Sequence, residues 1–148
     1  MRHALISIHP EYVAEILDGM KTVEVRTRNV HLSPGSYLWI YSTLPVGQIQ
    51  AVAKVNDMYR LSPSRAWSKF GPQMRLTKSQ FMSYVNGSNS VSAIELANVS
   101  KLRNVLPLES LRRWDRNFQP PQFIKYLEAA QSIWPLLARA KPDLFKLK

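Results

Sequence analysis

The chain has no cysteine, which excludes disulfides and thiolate metal sites but leaves the redox compartment open. Its five glycines are scattered, and they compose neither a phosphate loop nor a dinucleotide fingerprint. His3, His9 and His31 share no H-x-x-x-H or histidine–carboxylate spacing, so no metal site is expected and no cofactor is implied. No serine stands in a nucleophile elbow. No apolar run reaches the length of a membrane span, and Pro10 interrupts the N-terminal segment before a signal-peptide core could form. The expectation is a soluble, cytoplasmic protein with no membrane partner. Acid is missing from one long segment: between Met58 and Ile94 stand Arg60, Arg65, Lys69, Arg75 and Lys78, with no Asp or Glu.

What is present fits one globular domain. A length of 148 residues with an apolar fraction of 45% is enough to bury a core and too apolar for a disordered chain. The net charge of +10 is unevenly placed: residues 1 to 57 are balanced, and the excess lies beyond them. Bases interleaved with Tyr59, Trp67, Phe70, Phe81 and Tyr84 suit a nucleic-acid surface, because cations neutralise phosphates while rings stack on unpaired bases. Each aromatic taken singly is more simply a core residue.

Periodicity outlines the elements. Leu5, Ile6 and Ile8 mark a strand, followed by a helix from Pro10 whose face is Tyr12, Val13, Ile16 and Leu17 and which stops at Gly19. From Thr22 to Arg28 the period becomes two, with Val23 and Val25 on one face and Glu24, Arg26 and Arg28 on the other. Strands are expected at Tyr37–Tyr41, Gln48–Val55 and Ser90–Val99. Between the last two lies a helical insertion: one helix capped by Ser62 and ended by Gly71-Pro72, another capped by Thr77 and closed by Asn86-Gly87. A helix is expected after Pro107, and another beginning in the run Gln119 to Leu127 and continuing toward Trp134, with Phe123, Ile124, Leu127 and Ala130 on one face. Pro135 should bend or break the chain beyond Trp134, and the end from Arg139 to Lys148 reads as a basic tail.

The most informative stretch is Asp18-Gly19-Met20-Lys21-Thr22-Val23-Glu24-Val25-Arg26, which sets an ammonium, a carboxylate and a guanidinium where a helix hands over to a strand. If that face looks into a cleft, its groups suit a phosphate or a polar base. The bland alternative is a surface charge network. The run Ser7-Ile8-His9-Pro10, a short helix, Gly19-x-Lys21-x-x-Glu24-x-Arg26, then Gly35 and the strand Leu38 to Thr43 resembles the ASCH domain of the PUA-like superfamily over roughly the first hundred residues. The resemblance implies an α+β fold: a PUA-like small β-barrel with flanking helices and, here, a helical insertion. The division expected is a single ASCH/PUA-like domain over 1–148, with a barrel core to about residue 106 and a helical extension from about 107.

It further implies a cleft carrying Lys21, Glu24 and Arg26 and dealings with RNA or modified nucleosides, with activity left open among binding modules, ribonucleases and amidohydrolases. The first reading is an RNA-binding or single-stranded nucleic-acid-binding domain, DNA being an alternative partner. Its cleft would hold a nucleotide or modified base through Lys21, Glu24 and Arg26, with Ser7, His9, Tyr41 and Ser42 in reach, while Arg65, Lys69, Arg75 and Lys78 grip the backbone. The rival is a hydrolase with Lys21 and Glu24 catalytic, either a ribonuclease or an amidohydrolase on an acylated cytidine. Some amidohydrolase relatives carry threonine where Glu24 stands, which counts against deacylation. A third reading is a regulator whose basic tail docks DNA or a partner.

Overall fold

A computed structural model describes residues 2–145. Six strands form one curled sheet: β1 (His3–Ile8), β2 (Val23–Arg26), β3 (Tyr37–Ser42), β4 (Gln48–Leu61), β5 (Val91–Pro107) and β6 (Ile124–Leu127), in the order β2-β5-β4-β3-β1-β6. Only β1 and β3 run parallel, a pairing that needs a crossover, and α1 (Pro10–Leu17) with β2 lies in that crossover. The long β4–β5 ribbon carries three register irregularities, which increase local twist and curl the sheet into a half-barrel. The other helices are α2 (Pro63–Met74), α3 (Lys78–Tyr84), α4 (Leu108–Trp114) and α5 (Trp134–Ala140), with a 3₁₀ turn at Pro142–Phe145. The fold is α+β, as expected.

Strand alternation divides the core. Along β1, Ala4, Ile6 and Ile8 join Val13 and Ile16 of α1 on one face, while Leu5 joins Trp39, Leu111, Phe118 and Leu137 on the other. A third cluster places Val23 and Val25 under the insertion, against Ala66, Phe70, Met74 and Phe81. The face of β2 opposite those valines is thereby left to Glu24 and Arg26.

Three local expectations are corrected. Residues 124–127 form β6 rather than a helix: the apolar positions satisfy both periods, and β1 offers an edge that pairs His3 with Leu127 and Ala4 with Tyr126. Ile124 and Tyr126 then pack with the first cluster and Leu127 with the second, the signature of period two. Next, α2 runs through Pro72 to Met74: Pro72 forgoes its own amide bond to the preceding turn, and buried Met74 anchors the last turn. Its stop is Arg75, which is left-handed at φ 59°. Last, Pro135 opens α5 instead of breaking a helix, since its missing N–H lies in a first turn where no intrahelical acceptor exists. Of the expected basic tail, residues 146–148 lie outside the described residues.

Candidate nucleic-acid cleft

The α1–β2 turn builds the floor of the site. Gly19 adopts φ +79°, a conformation other residues rarely take, and lets the amides of Met20 and Lys21 both reach the carbonyl of Glu15 at the end of α1. That fold-back sends the Lys21 side chain inward, where it is 2% exposed. Its Nζ donates to the carbonyl of Met74 at 2.6 Å and lies 3.4 Å from Glu24 Oε1 and 5.3 Å from the centre of the Tyr12 ring. Lys21 therefore acts as a cationic cap on the last turn of α2, where orphan carbonyls and the helix dipole favour positive charge. The neighbouring carbonyl, of Gln73, accepts from the amide of Thr22 at 3.0 Å.

Glu24, 8% exposed, is gripped on its other oxygen. Arg26 donates to Oε2 through Nε at 3.0 Å and Nη2 at 2.8 Å, and Nη2 also donates to the carbonyl of Ser7 at 2.8 Å. The guanidinium thus ties edge strand β2 to the end of β1. Among the described residues its Nη1 has no partner. The three groups carry one net positive charge, with each oxygen of the carboxylate engaged by a cation, the condition under which buried charge is tolerated.

This network lies on the wall of a cleft of about 1000 Å³. Ser7, His9 and Tyr41 line it too, and His9 Nδ1 stands 3.5 Å from Thr43 Oγ1. The hydroxyl of Ser7 is buried without a partner. Of the residues expected at the site, Ser42 is not on the wall: successive β3 side chains point to opposite faces, and its hydroxyl is buried and unpartnered. Arg65, Lys69 and Lys78 are exposed on the insertion, outside the cleft. Lys69 Nζ sits 5.2 Å from the centre of the Tyr59 ring, and Arg75 is spent on Glu15 at 2.7 Å. Glu95 is also off the cleft, accepting from Asn56 Nδ2.

Several lining groups were not expected at the cleft, although Tyr84 stood among the aromatics of the basic segment. Tyr12 reads as part of a core-facing helix stripe, yet it stands over the Lys21 ammonium. Gln80 and Tyr84 come from α3, Arg112 from α4, and residues 119–122 close one side. Burial raises the Tyr12 phenol above its ordinary value, helped by the carboxylates of Glu11, Glu15 and Glu24. Burial also raises Tyr41, against an opposing pull from Arg112. Both phenols therefore stay protonated as donors at neutral pH. Among the described residues no three His, Asp or Glu side chains converge as a metal-ligand set, and no helix is long and apolar enough to cross a membrane.

The family described as "Domain of unknown function (DUF365)" matches residues 4–129. An ASCH domain-containing ribonuclease from Zymomonas mobilis subsp. mobilis is 30% identical over 131 residues, covering 88% of this chain and 88% of that protein. A crystal structure of ASCH from Zymomonas mobilis superposes with a TM-score of 0.83 at 29% identity, over 91% of this chain and 94% of that one. A Pseudomonas putida protein shares the fold at a TM-score of 0.63 and 13% identity, covering 93% of this chain and 98% of its own. A resemblance first carried by Gly19, Lys21, Glu24 and Arg26 thus extends over most of the sequence and nearly all of the fold, and the chain belongs to the ASCH-domain family.

Proposed function

We propose that the protein binds single-stranded RNA across the cleft and cuts it there. The observation that carries this reading is the carboxylate of Glu24 held between Lys21 and Arg26 on the cleft wall. In a site that only holds a phosphate the carboxylate serves to balance the buried Lys21 ammonium; a phosphodiester cleaved by its own ribose hydroxyl also needs a proton acceptor beside cationic groups, which Glu24 supplies. The name of the Zymomonas relative points the same way.

In this reading Glu24 takes the proton of a 2′-hydroxyl as its oxygen bonds to the adjacent phosphorus. Lys21 and the free Nη1 of Arg26 offset the charge that grows on the phosphoryl oxygens. The bond from phosphorus to the 5′-oxygen breaks, and His9 gives that oxygen a proton. The products are a 2′,3′-cyclic phosphate and a 5′-hydroxyl end. The half-buried Tyr12 ring supplies an apolar face for a base, and the Tyr12 and Tyr41 phenols supply hydrogen-bond donors.

The test is incubation of purified protein with end-labelled single-stranded RNA, the same sequence as DNA, and RNA carrying 2′-O-methyl groups. Cleavage confined to unmodified RNA is expected, with Glu24→Gln slower by about 100-fold or more while binding survives. Cleavage of the methylated strand would replace the ribose hydroxyl by water as nucleophile. Binding without cleavage by the wild type, with divalent cations either supplied or chelated, would leave a binding module and remove the enzyme reading.

A further inference from the structure

The cleft continues beyond the network at both ends. Leu76 and Gln80 belong both to its wall and to a shallow groove of about 570 Å³ that also takes in Trp67 and Arg75. Leu108 and Arg112 belong both to its wall and to a second shallow groove of about 530 Å³ with Glu109 and Arg113. The two grooves thus adjoin the cleft, one on the α2–α3 insertion and one on α4.

The guanidinium groups along the cleft and these grooves are not equally available. Arg75 is paired with Glu15 at 2.7 Å, and Arg26 is largely committed to Glu24 and Ser7. Arg112 differs. Its Nε donates to the carbonyl of Phe118 at 3.2 Å and its Nη2 to Gln119 Oε1 at 3.2 Å, and neither acceptor is a carboxylate. The charge is uncompensated by any salt bridge among the described residues, while the plane of the group is already fixed and Nη1 is left without a partner. A braced guanidinium with a free edge is pre-organised for an anion, because little rotamer freedom remains to be lost on binding. The neighbouring pair of Arg113 with Glu109 spans 3.5 Å between two largely exposed side chains and holds Arg113 weakly.

We propose that α4 carries a second phosphate subsite, with Arg112 as its ligand, through which the strand leaves the cleft. This rests on the RNA reading above and extends it: the unit recognised is a nucleotide together with the phosphate of its neighbour. A lone nucleotide reaches the Lys21–Glu24–Arg26 network without Arg112. A strand one phosphate longer on the α4 side gains a charge-assisted hydrogen bond.

The experiment measures binding of 2′-O-methyl oligouridylates of one to four nucleotides, with and without terminal phosphates, to the full chain and to Arg112→Gln and Arg112→Lys. For the wild type, one added phosphate should improve affinity by about tenfold, the size of a hydrogen bond to a charged group. In Arg112→Gln that step should collapse toward one, and the salt slope on longer strands should fall by about 0.7. Arg112→Lys should restore the slope without the whole affinity, since lysine keeps the charge and loses the fork. An unchanged step in Arg112→Gln overturns the subsite. So does a loss equal at every length, or a failure of lysine to restore any slope, because either reduces Arg112 to a brace for residues 118–119. A wild type that binds none of these strands, nor unmodified RNA, removes the RNA reading itself.

Discussion

Replacing Lys21 by methionine keeps most of the side-chain volume and removes only the ammonium, so it isolates what that charge does. Two groups lose a partner. The carbonyl of Met74 loses its 2.6 Å donor at the end of α2, and Glu24 Oε1 loses the cation at 3.4 Å while Arg26 retains its hold on Oε2. Removing one member of a buried ion pair costs about 3–5 kcal/mol, and the surviving Arg26 fork places this case near the lower end, at about 3 kcal/mol. For a domain of this size that lowers the thermal midpoint by about 6–12 °C. Circular dichroism melts measure the loss, and native-state hydrogen exchange locates it: amides of α2 should open more readily than those of β1, because the Lys21 ammonium fastens the insertion to the α1–β2 turn. Adding Glu24→Gln should recover part of the loss, since the carboxylate left behind is the group whose desolvation is uncompensated. A Lys21→Met protein that melts within about 2 °C of wild type would refute the buried network, and the cleft floor with it.

Neutralising Arg65, Lys69 and Lys78 together should weaken RNA binding for all sequences and flatten the salt dependence by about 0.7 for each phosphate no longer neutralised, read from titrations at several ionic strengths. Ser42→Ala should be neutral or stabilising by up to about 1 kcal/mol in urea unfolding, because it deletes a buried hydroxyl with no partner. His3 is held down to about 4, from 6.5, chiefly by burial, and its Nδ1 accepts from the Trp39 indole at 3.0 Å. The unfolded chain therefore binds more protons between those values. Stability should be fully present above pH 6.5, fall as pH drops toward 4, and fall less steeply in His3→Gln, as followed by urea unfolding across that range.

What the sequence made legible follows from how local its causes are. The alternation of Val23 and Val25 against Glu24 and Arg26 is a property of the strand itself, so the face carrying the charges could be read directly. Ser62 and Thr77 were equally readable as caps, because each accepts from a backbone amide three residues on. Tyr41 and Ser42 show where this stops: their side chains leave opposite faces of β3, and only the neighbouring elements decide which face meets the cleft. At β6 the apolar pattern satisfied two periods, and the free edge of β1, more than a hundred residues away in sequence, chose between them. Arg112 had no local mark at all. Its brace is a carbonyl six residues on, and its place on the cleft depends on α4 packing Leu111 into the second core cluster.

The position of Lys21 joins two facts usually argued apart. As a cap it satisfies the end of α2; as a cleft residue it balances Glu24. Both interactions are made by one atom, so the insertion that contributes Leu76, Gln80 and Tyr84 to the wall is fastened by the group that sets the charge on the floor. The wall and the charged centre therefore hold together through the same buried cation. The network itself carries only one net charge, too little to generate a steep salt dependence. In the proposed RNA reading, attraction of the strand over distance would fall instead to the exposed bases of the acid-free segment and of α4, whose fields are screened by salt as the buried network's are not. On that reading steering and chemistry reside in different residues, and the insertion links them: Lys69 lies on α2, whose last turn Lys21 caps, and Lys78 on α3, which packs against α2.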